Sequence, residues 1–320
     1  MPAMSRWAQR FAPLIGLVIV ALVFSILTGA PERYLSLQNL RVILAQTLIV
    51  GLGAIGMTFI IVSGGIDLSV GSVIALAGIV AALVLRDGGS PTWAIAAAVL
   101  TGAVVGAWNA MLVTRVKVIP FIATLGTLGA ARGVAKWLAG ERTVNIPDTW
   151  INELAVTFPA QAWMLVAPGI WLAAILAVIA SLVLTHTVFG RRVYAIGSNE
   201  VAARAAGVAV ESIRQRVYVL AGALVGLAGA MQMSRLRQGD PTVASGTELD
   251  IIAAVVIGGA SLNGGEGGIA GSIIGALTMA FLRNGSQQMG WPSYVQEIII
   301  GLIIVAAVAL DRWRTRQRTA

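Results

Sequence analysis

Few residues in this chain could do chemistry, and they cluster in a handful of segments. Gly51–Gly78 reads GLGAIGMTFIIVSGGIDLSVGSVIALAG. Gly64 and Gly65 break an apolar run, Asp67 follows among Ser63, Ser69 and Ser72, and the run resumes around Gly71. An unpaired carboxylate at mid-bilayer costs about 2.5–3.5 kcal/mol on insertion scales. Non-helical backbone at that depth persists only where protein or water satisfies it. The segment is therefore either a cytoplasmic turn between two spans, with Asp67 or Ser69 capping the second helix, or a broken helix that lines a pathway. A second break is expected at the Gly-rich turn Asn263–Gly268, which holds Glu266. No Gly-Lys-Ser/Thr follows it, so it is a tight re-entrant turn and not a phosphate loop. GSVIAL (Gly71–Leu76) and GSIIGAL (Gly271–Leu277) each follow such a break, a hint of two related halves.

The loop His186–Arg216 carries Arg191, Arg192, Arg204, Arg214 and Arg216. Ser198 or Asn199 can cap a short helix over 199–206, Glu200 suits its first turn, and Gly207 can end it. A short capped helix projecting from a bundle suits docking into a groove on a partner; the alternative is a solvated helix whose Arg residues only set topology. In Thr114–Gly133, Pro120 opens a helix on which Thr124 and Thr127 are polar. Arg132 and Lys136 share a face near its far end. They either snorkel to headgroups or face an aqueous cavity.

What must position these residues follows from composition. Of 320 residues, 58% are hydrophobic and 11% are charged, against roughly 25% charged in an average soluble domain. That composition predicts an all-α polytopic membrane protein. Ten apolar runs are candidate spans: 11–29, 42–62, 70–85, 92–113, 121–138, 163–184, 217–233, 251–260, 269–282 and 295–310. The eighth is too short to cross alone; it extends back through Thr247 or is a half-helix. With the N-terminus inside, alternate segments place thirteen Lys and Arg residues in the cytoplasm and six outside. The positive-inside rule then puts both termini in the cytoplasm. A cleaved signal peptide is the rival reading of the start, but its apolar run is longer than the usual 7–15 residues.

The net charge of +8 could point to nucleic acid, but its distribution is that of membrane topology, and no nucleic-acid partner is expected. The chain has no Cys and one His, His186, so no catalytic residue, metal ligand set or cofactor site is assigned. The only lysines, Lys117 and Lys136, stand outside any Walker A motif. Enzyme chemistry on this chain is unsupported.

Four blocks in order resemble the permease subunits of bacterial ABC importers for simple sugars, of the ribose, xylose and arabinose type. They are MTFIIVSGGIDLSVGS (Met57–Ser72), PFIATLG followed by RG (Pro120–Gly126, Arg132–Gly133), FGRRVYAIGSNEVAARAAGV (Phe189–Val208) and GTELDIIAAVVIGGASLNGGEGGIAGSIIGAL (Gly246–Leu277). The resemblance implies a permease in the bacterial inner membrane, paired with a second permease subunit. It also implies a separate cytoplasmic ABC ATPase and a periplasmic sugar-binding protein. It assigns ATPase docking to Gly197, Asn199, Glu200, Ala203, Arg204 and Gly207. It assigns pathway or gating roles to Gly64, Gly65, Asp67, Ser69, Gly71, Thr124, Glu248 and Asp250, with the last two near the outer side. Asp240 stands before Pro241 where the family commonly has Gln, Thr247 where an aromatic is common, and Ala110 after Asn109 where Gly is usual. Rival readings are a branched-chain amino acid permease, an ATP-independent channel or secondary carrier, and a membrane scaffold. SGGIDLSVGS and NEVAARAAGV favour the sugar group, and Gly-broken spans argue against a scaffold.

Overall fold

Helices account for nearly all of the regular structure in the computed structural model, which describes residues 6–159 and 164–319. In chain order they are α1 (Arg6–Leu27), α2 (Pro31–Tyr34), α3 (Leu37–Val62), α4 (Val70–Arg86), α5 (Pro91–Thr114) and α6 (Pro120–Ala139). Then follow α7 (Pro168–His186), α8 (Val188–Ser198), α9 (Glu200–Ala205), α10 (Val210–Leu236), α11 (Thr247–Ile257), α12 (Ile269–Gln288) and α13 (Ser293–Thr319). The one sheet among the described residues pairs β1 (Val144–Asn145) with β2 (Gln238–Gly239), antiparallel. Local chemistry sets many of the helix starts. Ser36 and Ser90 accept N–H bonds at the starts of α3 and α5, and Pro91, Pro120 and Pro168 open α5, α6 and α7.

Each of the ten apolar runs overlaps a helix; residues 28–29, 164–167 and 258–260 lie just beyond the helix ends, and Trp163 lies outside the described residues. Among the described residues, α3, α5, α7 and α10 are long and apolar enough to cross a bilayer. This supports the coarse reading, an all-α membrane protein. The helix α11 does extend back to Thr247, yet its eleven residues rise only about 16 Å, half of a roughly 30 Å hydrocarbon core. It is a half-helix. Gly53 of α3 faces Ile251, so α11 starts beside the middle of α3.

The centre of the bundle is α3 and α10, both buried along most of their length, while α7 is largely exposed. Apolar side chains on α1 and α7, such as Ile15, Ile19, Ile175 and Val178, face outward, the arrangement lipid requires. The most extensive helix pairing among the described residues joins α5 to α10. Gly102 and Gly106 of α5 face Gly222, Gly226 and the Tyr218 carbonyl of α10. Both helices carry Gly-x-x-x-Gly there, the spacing that lets two backbones touch where lipid gives no hydrophobic drive.

A Cβ on Gly102 would fall on the Gly222 carbonyl, whereas one on Gly16 meets nothing within 4 Å. Gly102→Val should therefore destabilise the detergent-solubilised protein by at least about 1–3 kcal/mol, and Gly16→Ala should leave it unchanged. Thermal unfolding of the two variants checks this; equal midpoints would refute the packing argument.

Candidate translocation and coupling site

The first break is a built structure. After Val62 the chain turns at Ser63 and Gly64, the latter at φ +82°, and runs without regular structure to Ser69 before α4 begins. Asp67 is buried and fixes this stretch. Its Oδ1 accepts the Ser69 N–H at 2.8 Å and the Ser69 hydroxyl at 2.6 Å, and its Oδ2 accepts from Asn109 Nδ2 at 3.4 Å. Asn109, on α5, also donates to Ser69 Oγ at 3.0 Å. Thr124, on α6, accepts the Leu68 N–H at 3.1 Å. Neither expected alternative describes this fully. Asp67 does not cap the helix body of α4, and it does not line an open passage, since the space beside it is about 10 Å³. It is the buried knot of a helix break inside the bundle.

A second loop is held in the same way. Asp240 Oδ1 accepts the Thr242 N–H at 2.8 Å and its hydroxyl at 2.7 Å, so the departure at Asp240 makes an Asx turn. Arg132 Nη1 donates to the Pro241 and Val243 carbonyls at 2.8 and 2.7 Å. Thr124 and Arg132 are eight residues apart, on one face of α6. One helix thus grips both irregular loops. Snorkelling does not describe Arg132, which is half-buried and satisfied by backbone; Lys136 is exposed and free to do so.

Glu248 and Asp250 lie in the first turn of α11, whose Ile251 packs against Gly53 in α3. The Glu248 carboxylate packs against Gly71 at the start of α4, where a Cβ would collide with it and with the Ala244 carbonyl. Asp250 is buried and ion-paired with Arg283 of α12.

The basic loop forms α8 and α9. Asn199 accepts the Ala202 N–H at 2.9 Å and caps α9. Gly207, at φ +81°, closes it: the N–H groups of Gly207 and Val208 reach the Arg204 and Ala203 carbonyls at 3.0 Å, a Schellman pattern. Glu200 pairs with Arg204 at 3.1 Å and Arg214 at 2.7 Å, and Arg204 with Glu211, which also meets Lys117. Partial burial raises the Glu200 pKa, but Arg214 and Arg204 outweigh it and hold the carboxyl below its ordinary value. The network's contribution is complete above the usual carboxylate range and is lost as pH falls through that depressed value. Ala203 is buried as the anchor of α9, whereas Val201 is 79% exposed. The sequence reading did not single out Val201.

Gly197 joins this loop to both breaks. A Cβ there would strike the Val62 carbonyl and lie 2.5 Å from the Gly265 N–H nitrogen. Gly264 in turn touches Gly197 and Gly64. Gly265 donates to the Val62 carbonyl at 2.9 Å, Tyr194 Oη donates to the Gly267 carbonyl at 2.6 Å, and the rings of Phe59 and Phe189 lie 6.2 Å apart. Gly64, Gly65 and Gly197 are thus brought together, Asp67, Ser69 and Thr124 form a neighbouring cluster, and Gly71 meets Glu248. Asp250 stands apart from all of these, with α12.

The described residues form a bundle of apolar helices broken at two glycine turns that meet beside the charged segment α8–α9. Residues 39–308 match the model of the family described as branched-chain amino acid transport system / permease component, and the chain belongs to that family. It is 41% identical over 309 residues to a ribose import permease protein of Bacillus subtilis (strain 168), covering 95% of this chain and 93% of that one. It is 39% identical over 305 residues to a ribose import permease protein of Escherichia coli (strain K12), covering 95% and 94%. It is also 34% identical over 306 residues to an L-arabinose ABC transporter permease protein of Azospirillum brasilense, covering 95% and 89%. No solved structure matches the chain.

Removing the Asp67 carboxylate strands a buried N–H and takes away one of the two acceptors of Asn109, which keeps Ser69 Oγ. Asp67→Ala should cost roughly 1–3 kcal/mol, and Asp67→Asn, which keeps one acceptor oxygen, should cost less. Thermal melts of the purified variants check the order, and an Asn variant as unstable as Ala would contradict it.

Proposed function

We propose that the chain is the membrane-spanning subunit of an ATP-driven importer in the bacterial inner membrane. It passes a monosaccharide delivered by a periplasmic binding protein. The names of the relatives carry the substrate class, and ribose and arabinose permeases among them favour a sugar over a branched-chain amino acid. The observation that carries the mechanism is the meeting of three backbones at Gly197. A cytoplasmic ABC ATPase binds α8 and α9, and its ATP-driven closure displaces Gly197. Contact at that point has no side chain to absorb the motion, so the α3–α4 and α11–α12 breaks move with it. A second permease subunit, identical or not, completes the pathway.

On this reading residues 1–320 form one permease domain of ten spans, some broken, with both termini in the cytoplasm and the loop 186–216 as the coupling element. Asn199, Glu200, Arg204 and Gly207 shape the docking helix, and Val201 enters the ATPase groove. Gly64, Gly65, Asp67, Ser69, Gly71, Thr124, Glu248 and Asp250 keep the broken segments rigid enough to rock between outward and inward states. The free energy enters through partners that bind one state better than the other. An ATP-independent carrier would have no use for an apolar side chain presented on a capped cytoplasmic helix.

Val201→Asp puts a charge into the expected apolar groove without touching a packed residue. It should abolish co-purification with the ATPase and cut sugar uptake at least tenfold while leaving the melting temperature within a few degrees. Uptake and co-purification at wild-type levels would sink the docking assignment. Gly197→Ala should instead retain the ATPase but lose uptake, because the added Cβ displaces the junction; intact coupling in that variant would count against the mechanism.

A further inference from the structure

Between α3, α10, α11 and α12 lies a cavity of about 270 Å³ with a polar wall that the break and the coupling loop leave unexplained. Gln46, Gln232, Arg235, Asp250, Arg283 and Gln287 face it. Arg235 and Gln287 stand near the ends of α10 and α12 that the charge distribution places outside, and Ser245, in the loop before α11, is an exposed residue at its edge. Asp250 is 2% exposed, yet its Oδ1 has no hydrogen-bond partner, and neither has Arg283 Nε nor Gln46 Oε1. Buried polar atoms left unpaired cost free energy unless something satisfies them.

We propose that this cavity is a transient binding site for one neutral monosaccharide on its way through the permease. This rests on the importer reading above and names a site for its substrate. Every hydroxyl of a sugar both donates and accepts. The lining matches that: glutamine amides offer both functions, and the guanidinium groups of Arg235 and Arg283 donate in fixed planes to neighbouring hydroxyls. The Asp250–Arg283 pair leaves the lining without a free anionic centre that would demand a cation. The volume is near the lower end of ligand pockets, about 300 Å³, and amounts to roughly nine waters, which suits a single sugar ring and not a disaccharide. No aromatic platform lies among the lining residues, so the grip is weak, as release to the far side requires.

The test uses labelled D-ribose, L-arabinose and D-xylose uptake by cells deleted for the chain and complemented with variants. Binding-protein-stimulated ATP hydrolysis is measured in vesicles from the same cells. Gln232→Met keeps the size and removes the amide; Ser245→Trp fills the mouth from an exposed position, and Ser245→Ala is its control. The expected result is a roughly three- to tenfold loss of uptake in Gln232→Met and Ser245→Trp, with Ser245→Ala and ATP hydrolysis unchanged. Undiminished uptake in Ser245→Trp would overturn the site. So would a parallel fall of uptake and hydrolysis in both variants, which marks a structural role only. If the wild-type chain itself restores no sugar uptake, the importer reading fails first and takes this site with it.

Discussion

The rest of the structure depends on an approach of three backbones without side chains between them. At Gly197 the coupling loop touches the end of α3, and Gly264 and Gly265 close the contact from the second turn. Packed atoms resist compression, and a side chain in such a gap would act as a soft, rotatable spacer. Glycine removes the spacer. The cost is a chain that needs unusual backbone angles, and Gly64, Gly264 and Gly265 all have positive φ. The Gly-rich stretches of this protein are therefore stiff contacts, whatever flexibility their composition implies in isolation.

Stiffness at the junction is useful only if the broken segments beyond it are also held. Each break leaves backbone polar groups inside a medium that cannot hydrate them. Asp67 supplies acceptors to Ser69 and Asn109, Thr124 takes the Leu68 N–H, and Arg132 takes two carbonyls from the loop after α10. These bonds turn irregular chain into bodies that can move as units. The α5–α10 glycine contact lies next to them, and it keeps Asn109 within reach of Asp67. The same small-residue packing thus serves both helix association and the polar knot.

Much of this was legible in the residues, and the failures have physical causes. The ten apolar runs and their helices agree because hydropathy and helical satisfaction of the backbone are local properties. The breaks at Gly64–Ser69 and Asn263–Gly268 were visible because Gly and polar residues interrupt apolar runs. The capped helix α9 was readable from Asn199 and Gly207, since caps depend on neighbours in sequence. The partners of Glu248 and Asp250, Gly71 and Arg283, were not. A residue count orders the segments, but only the packing of Gly53 against Ile251 shows that α11 begins beside the middle of α3. Likewise Arg132 read as a snorkelling cation because its partners, Pro241 and Val243, are more than a hundred residues away. The paired Gly-x-x-x-Gly motifs of α5 and α10 stood in plain sight and needed only a search for that spacing.

The few charges of the chain sort by what surrounds them. Around α9, Glu200, Arg204, Glu211, Arg214 and Lys117 form a largely solvent-facing network whose members share partners. Such pairs contribute little individually, but they orient α9 at little entropic cost because each side chain already has a fixed neighbour. Inside the bundle, Asp250 has Arg283 and a polar cavity. A charge buried there without its partner would be strongly destabilising, and a fully satisfied apolar replacement would have been cheaper. One carboxylate oxygen of Asp250 and the Arg283 Nε have no hydrogen-bond partner in the protein. The exposed ion-pair network on α9 and α10 and the buried Asp250–Arg283 pair thus occupy different environments, and Gly197 packs against Val62 and Gly265 at the end of α3.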